Sequence, residues 1–252
     1  MLTFISCAKT MASHADVPVP YRTEPVYLSE AENTAKVLAG YPATDLMDMM
    51  HTSPAIAAEV KEMYGAIIRD EAERLPAILA YTGAVFKRIN PRDFSSDDFS
   101  FAQKHLRITS FLYGLLRPLD LISPYRLEGS VRLDGMDMFS RWRPLLTDMF
   151  ISEIQENGGI LADLASEEMK GLFDWKRVAS EVRVVRPEFM TEKDDRLKTV
   201  TIHAKMCRGE MTGMIIRHRI EDPARLREFR WNGFQYDASR SDGDRLVFVR
   251  KA

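Results

Sequence analysis

Apolar and polar positions along the chain follow two rhythms, and their succession predicts the elements. Met1–Ser6 is a short apolar run that reads as a first strand and gives way to polar Lys9 and Thr10. Met11–Pro25 keeps neither period, carries three prolines and reads as an ordered loop. A helical rhythm follows. Ser29 with Glu32 resembles a capping box, and Gly40 a stop. Thr44 can cap a short helix through Met50. Ser53-Pro54 opens a longer helix, with Ser as N-cap, Pro at the first helical position, and Ile56, Val60, Met63 and Ile67 on one face. Pro76 introduces a strand over Ala77–Thr82 that ends at Gly83. Ser96–Lys104 predicts a helix and Leu106–Leu112 a strand.

Past Gly129 the pattern changes. Phe139–Gln155 is amphipathic and closes near Gly158-Gly159. Ile160–Ala165 reads as a strand, with a helix starting at Ser166. Val182–Phe189 and Leu197–Ala204 read as paired strands across the polar tip Glu192–Arg196. Gly209–Arg219 and Pro223–Phe229 read as helices. Phe234–Asp237 and Leu246–Arg250 read as short strands around the turn Ser239–Asp244. Strands alternate with helices early and form hairpins late. The expectation is an α/β (mixed α+β) fold, a mixed sheet flanked by helices, in a single domain over residues 1–252.

Composition narrows the function classes. At 45% hydrophobic and 29% charged, the chain can bury a large core and does not have a disordered composition. A formal net charge of −2 excludes a globally basic nucleic-acid binder, so any anionic partner needs a local basic patch. Cys7 and Cys207 stand too far apart in sequence to form a metal-ligand spacing, and they fit a reducing compartment. The first residues lack a basic n-region and a long apolar core, and no run is long enough to span a membrane. A cytoplasmic address is expected, with no cofactor, no metal and no membrane partner.

The densest chemistry lies in Leu106–Gly129. This apolar run also carries Arg107, Arg117, Arg126, Asp120, Glu128, Tyr113 and Tyr125. Arginines and carboxylates resist burial unless they are paired or face a ligand. Three readings stand. The segment is an Arg–Asp knot that locks a Pro-rich loop. Or Leu112–Ile122 is a helix-hairpin-helix whose Tyr113-Gly114 turn meets DNA phosphates, although Leu116 stands where a second glycine is usual. Or it floors a ligand cleft, with Arg117 and Arg126 as forked donors and Asp120 or Glu128 as orienting or acid–base groups beside Lys9.

Smaller clusters sit at expected strand exits, where α/β sheets place ligands. They are Ser6–Thr10, Tyr81-Thr82-Gly83, Ala165-Ser166-Glu167-Glu168 and Lys205–Gly209. In the last, Lys205, Arg208 and Gly209 at a helix N-terminus make a candidate anion site, in the basic stretch Lys205–Arg230. No phosphate-loop, dinucleotide, nucleophile-elbow or zinc-protease motif is present.

Several separated blocks resemble the YaaA peroxide-stress family. They are Ala8-Lys9-Thr10, Thr82-Gly83, Leu112–Asp120, Pro124–Glu128, Leu164-Ala165-Ser166, Ala204-Lys205, Arg208-Gly209 and Val247–Arg250. The chain departs from the family pattern at Cys7, where Pro is usual, and at Cys207, where Ala is common. The resemblance implies a cytoplasmic bacterial protein of peroxide stress and low free iron, with a basic cleft and a helix-hairpin-helix-like element. Such a protein would bind duplex or distorted DNA through phosphates and limit oxidative damage. On that reading Lys9, Thr10, Tyr113, Gly114, Arg117, Tyr125, Arg126, Lys205, Arg208 and Gly209 form the contact set. The alternative is an enzyme acting on a small anionic or nucleotide-like substrate in the same cleft, with Lys9, Asp120 and Glu128 as candidate catalytic groups.

Overall fold

The computed structural model describes residues 1–194 and 196–251. Its strands are β1 Leu2–Ile5, β2 Leu75–Pro76, β3 Leu106–Ser110, β4 Gly114–Leu116, β5 Leu121–Ile122, β6 Arg132–Leu133 and β7 Met136–Asp137. They continue with β8 Ile160–Asp163, β9 Arg183–Lys193, β10 Arg196–Lys198, β11 Arg230–Trp231, β12 Phe234–Tyr236 and β13 Arg245–Lys251. The helices are α1 Leu28–Gly40, α2 Ala43–Met50, α3 Pro54–Ile68, α4 Ala77–Ala80 and α5 Ala84–Ile89. After them come α6 Ser96–His105, α7 Met138–Glu156, α8 Trp175–Glu181 and α9 Thr201–Arg217. No helix among the described residues is long and apolar enough to cross a membrane.

The main sheet runs β11-β12-β13-β9-β8-β1-β3-β4, with β10 paired to β9. Its centre, β13-β9-β8-β1-β3, is parallel, and antiparallel strands close both sides. The mixed sheet flanked by helices is therefore as expected. Every residue of β1 and β3 is buried, which accounts for the continuous apolar run of β1, whereas in β3 the buried Arg107, Thr109 and Ser110 have polar partners. β1 leads to β3 on one side, whereas β8 leads to β9 on the other. The connections thus part between β1 and β8, and a crevice opens at the carboxyl ends of those two strands.

Local chemistry sets several helix starts. Ser53 accepts the Ile56 amide at 3.4 Å, with Pro54 in the first turn of α3. Ser95 and Asp98 form a reciprocal capping box before α6. The box expected at Ser29 and Glu32 is absent: α1 begins one residue earlier, after Tyr27, without a side-chain cap.

Three expected elements differ. Ala77–Ala80 is a short helix, not a strand, because the two-residue strand β2 has already paired with β5. The amides of Ala77 and Ile78 then go to the carbonyls of Asp120 and Pro118. Leu197–Ala204 is strand only through Lys198. From Thr201 the chain is α9, whose buried Ala204, Cys207, Met211 and Ile215 recur at helical spacing. Consequently Lys205, Arg208 and Gly209 lie inside a helix and not at its N-terminus. Pro223–Glu228 is a 3-10 helix.

The helix-hairpin-helix expected at Leu112–Ile122 does not form. Its amides are taken by strands: β4 pairs with β3, and β5 with β2. Gly114 makes the tight β3–β4 turn at φ +77°, and a Cβ there would lie 2.8 Å from the Trp142 ring. The hydroxyl of buried Tyr113 accepts the Ser123 amide at 3.1 Å.

Candidate functional site

The crevice between the ends of β1 and β8 holds a cavity of about 300 Å³. Six segments wall it, one of them the turn after β3 with Phe111. The β1 exit supplies Ser6–Thr10, the start of α5 supplies Gly83–Val85, and the loop after β5 supplies Tyr125–Glu128. The β8 exit supplies Ser166, Glu168 and Met169, and α9 supplies Lys205 and Arg208. Close backbone packing brings these together. A Cβ on Gly83 would lie 2.7 Å from that of Ala8, and one on Gly209 2.3 Å from the Val85 carbonyl oxygen. Gly209 therefore seats α9 against α5, which delivers Arg208 to the cavity, and its own surface faces protein.

Of the ten residues expected to meet an anion, the cavity gathers Lys9, Thr10, Tyr125, Arg126, Lys205 and Arg208. Tyr113, Gly114, Arg117 and Gly209 are not among its lining residues. Arg117 borders a separate shallow depression with Lys104 and His105. Its backbone amide and its Nε donate to Asp120 at 2.8 and 3.1 Å, and its Nη2 donates to the Glu24 carbonyl at 2.9 Å. Asp120 is fully buried and also accepts the Thr23 hydroxyl at 2.6 Å. Thr23 in turn accepts from Gln103, whose side-chain oxygen takes the Leu119 amide. Asp120 thus ties the loop before α1 to α6 and to its own turn, and it is remote from the cavity.

Glu128 has different surroundings. It lines the cavity, bridging Lys9 at 2.6 Å and the Arg126 guanidinium at 3.0 Å. Of the three residues weighed for catalysis, Lys9 and Glu128 thus face one another across the site. Lys9 is 67% exposed, so its arm of the bridge lies at the mouth.

Arg208 is the least satisfied group. Its Nε is buried with no hydrogen-bond partner, as is that of Arg126. Burial pushes the Arg208 pKa down. The two carboxylates that act on it are already engaged: Asp163 with Lys170 at 3.3 Å, and Glu167 with Lys170 at 2.8 Å and Arg186 at 2.6 Å.

Ser6, Ser166 and Glu168 complete the site; the sequence placed them in strand-exit clusters but not in the expected contact set. Ser166 had the signature of an N-cap, but its side chain makes no cap. It accepts the Ser6 hydroxyl at 3.1 Å, while its amide donates to Ser6 Oγ at 2.8 Å. The polar strand-exit pattern was the available signal; the pairing spans 160 positions and leaves no local trace. The cavity floor is Tyr125, whose hydroxyl lies 2.9 Å from that of Tyr81 and 2.7 Å from Ser110 Oγ. No group of three or more metal-ligating side chains is present among the described residues.

Cys7 also lines the cavity, and its burial pushes the thiol up to about 11; that of Cys207 is pushed to about 12. A raised pKa keeps both thiols protonated at neutral pH. We expect alkylation by iodoacetamide at pH 8 to run roughly 100-fold slower than for a free cysteine. Labelling of either thiol at the rate of a free cysteine would refute this.

Comparison with known proteins adds context. A family model described as "Peroxide stress protein YaaA" matches residues 1–240. A UPF0246 protein of Bacteroides thetaiotaomicron is 50% identical over 252 residues, covering 99% of this chain and 98% of the relative. One from Phocaeicola vulgatus is 49% identical over 251 residues, covering 98% of each. One from Porphyromonas gingivalis is 40% identical over 254 residues, covering 99% of each.

Proposed function

This chain belongs to the YaaA peroxide stress protein family, and from that footing we propose that it works by holding a phosphate-bearing ligand in the crevice between β1 and β8. The observation that carries this is Arg208. Burying a guanidinium nitrogen without a partner is costly, and the fold bears that cost where an anion can meet the head group. Lys205 stands one helical turn away on the same face, and the Ser6–Ser166 pair adds hydroxyls. The cavity volume suits a small ligand and is too small to enclose a duplex.

DNA is the second reading, favoured by cations that continue beyond the mouth. Past the Thr10–Thr82 hydrogen bonds a neighbouring groove carries Lys87 and Arg92, which could track a phosphate backbone. Titrations over a salt series separate the two. Inorganic phosphate or a mononucleotide should bind with a shallow salt dependence. Duplex or bulged DNA spanning both grooves should show a steep log–log slope, close to one unit per phosphate contacted. If neither class binds at low salt, the phosphate reading is wrong.

A further inference from the structure

The cavity contains more than an anion site requires. Cations alone suffice for phosphate, yet Glu128 lines the same space and is only partly covered. A carboxylate repels an anionic ligand unless it meets a hydrogen-bond donor on another part of it. An ionised carboxylate offers about four acceptor sites. Lys9 and Arg126 each take one, leaving capacity for a neutral donor. The cations and Glu128 come from different walls: Lys205 and Arg208 from α9, and Glu128 from the loop after β5, where Lys9 and Arg126 hold it. The lining also includes the apolar Val85, Phe111, Leu127 and Leu164.

We propose that the ligand is a nucleoside monophosphate unit, its phosphate on Arg208 and Lys205 and an exocyclic amino group of its base donating to Glu128. This rests on the phosphate reading above and adds the base. The apolar wall receives the flat ring, and the volume lies at the lower end of the range for small-molecule pockets. The recognising chemistry discriminates within one ring size. Cytosine presents an amino donor where uracil presents a carbonyl oxygen, and an oxygen facing Glu128 leaves both acceptors unpaired and repelling. The unit can come as a free nucleotide or as the phosphorylated end of a strand, since both carry the same groups.

Calorimetric titration with CMP, UMP and inorganic phosphate tests the proposal. CMP should bind about tenfold or more tightly than UMP. Glu128→Gln, whose amide can donate to the uracil oxygen, should abolish or invert that preference. Equal affinity for CMP and UMP in the unaltered protein overturns the proposal, and so does a preference that survives in Glu128→Gln. In either case continued binding of inorganic phosphate leaves the broader reading standing, whereas loss of all phosphate ligands removes both. A 5′-phosphorylated trinucleotide with a 5′-terminal cytosine separates the sources. Affinity at least equal to that of CMP identifies a strand end, and affinity tenfold weaker identifies the free nucleotide.

Discussion

Arg208→Met should lose phosphate binding by about 10–100-fold and at the same time melt at a higher temperature. The two effects share a cause. The guanidinium is partly buried with its Nε unpartnered, and the nearby acids are committed to Lys170 and Arg186. Methionine keeps the length of the stem and removes the stranded charge. For a domain of this size, each kcal/mol recovered raises Tm by about 2–4 °C. Paired melting curves with and without phosphate check this. In the unaltered protein phosphate should narrow the gap, because an anion that binds only the folded state stabilises it. A variant that melts lower, or that binds phosphate normally, would show that Arg208 is a structural residue.

Asp120→Ala should be the most damaging single change outside the core. Fully buried, Asp120 accepts from Thr23, from the Arg117 amide and from the Arg117 side chain. Its removal leaves the Thr23 hydroxyl and the Arg117 amide without this partner, while the Arg117 side chain keeps the Glu24 carbonyl; stranding buried polar groups costs about 1–3 kcal/mol each, or roughly 10 °C in Tm. Phosphate affinity measured well below the melting point should be unchanged, because the knot lies away from the cavity. A parallel Arg117→Ala variant and the double variant complete a cycle in which the two losses should fall well short of additive. Loss of phosphate binding by a folded Asp120→Ala protein would contradict the separation of the two sites, and so would an unchanged Tm.

That separation is what local sequence could not reveal. Asp120 and Glu128 lie eight positions apart in one charged, apolar stretch, and composition treats them alike. Their partners come from elsewhere: Thr23 from the Pro-rich loop in one case, Lys9 from the β1 exit in the other. Of the three readings of the stretch, the Arg–Asp knot forms around Asp120, Glu128 lines a cavity, and the helix-hairpin-helix does not form. The mixed sheet was legible because the buried strand Leu2–Ile5 announces itself by a continuous apolar run and Leu106–Ser110 by the alternation of Leu106 and Ile108. The start signal at Ser53 was equally legible, whereas the box at Ser95 was not read and the one read at Ser29 does not form. Thr-Val-Thr-Ile at 199–202 misled because β-branched residues favour strands, while the packing of Ala204, Cys207, Met211 and Ile215 decided for helix. The seven cavity residues found in advance, the six of the contact set and Glu128, came from expected strand exits and family blocks, and Gly209 was found for the wrong physical reason.

The position of β1 also bears on how the protein acquires its shape. Leu2 pairs with Leu161 and Thr3 with Leu106, so this short strand can be locked only by partners more than 100 positions downstream. Closing such loops is entropically slow, and the topology favours late consolidation of the sheet centre. The crevice draws on residues near positions 6–10, 125–128, 164–169 and 205–208, so no partly folded state lacking one of them contains it. Recovery of phosphate binding during refolding should therefore report the final docking step, trailing the return of helical signal from α1–α3, whose contacts are local.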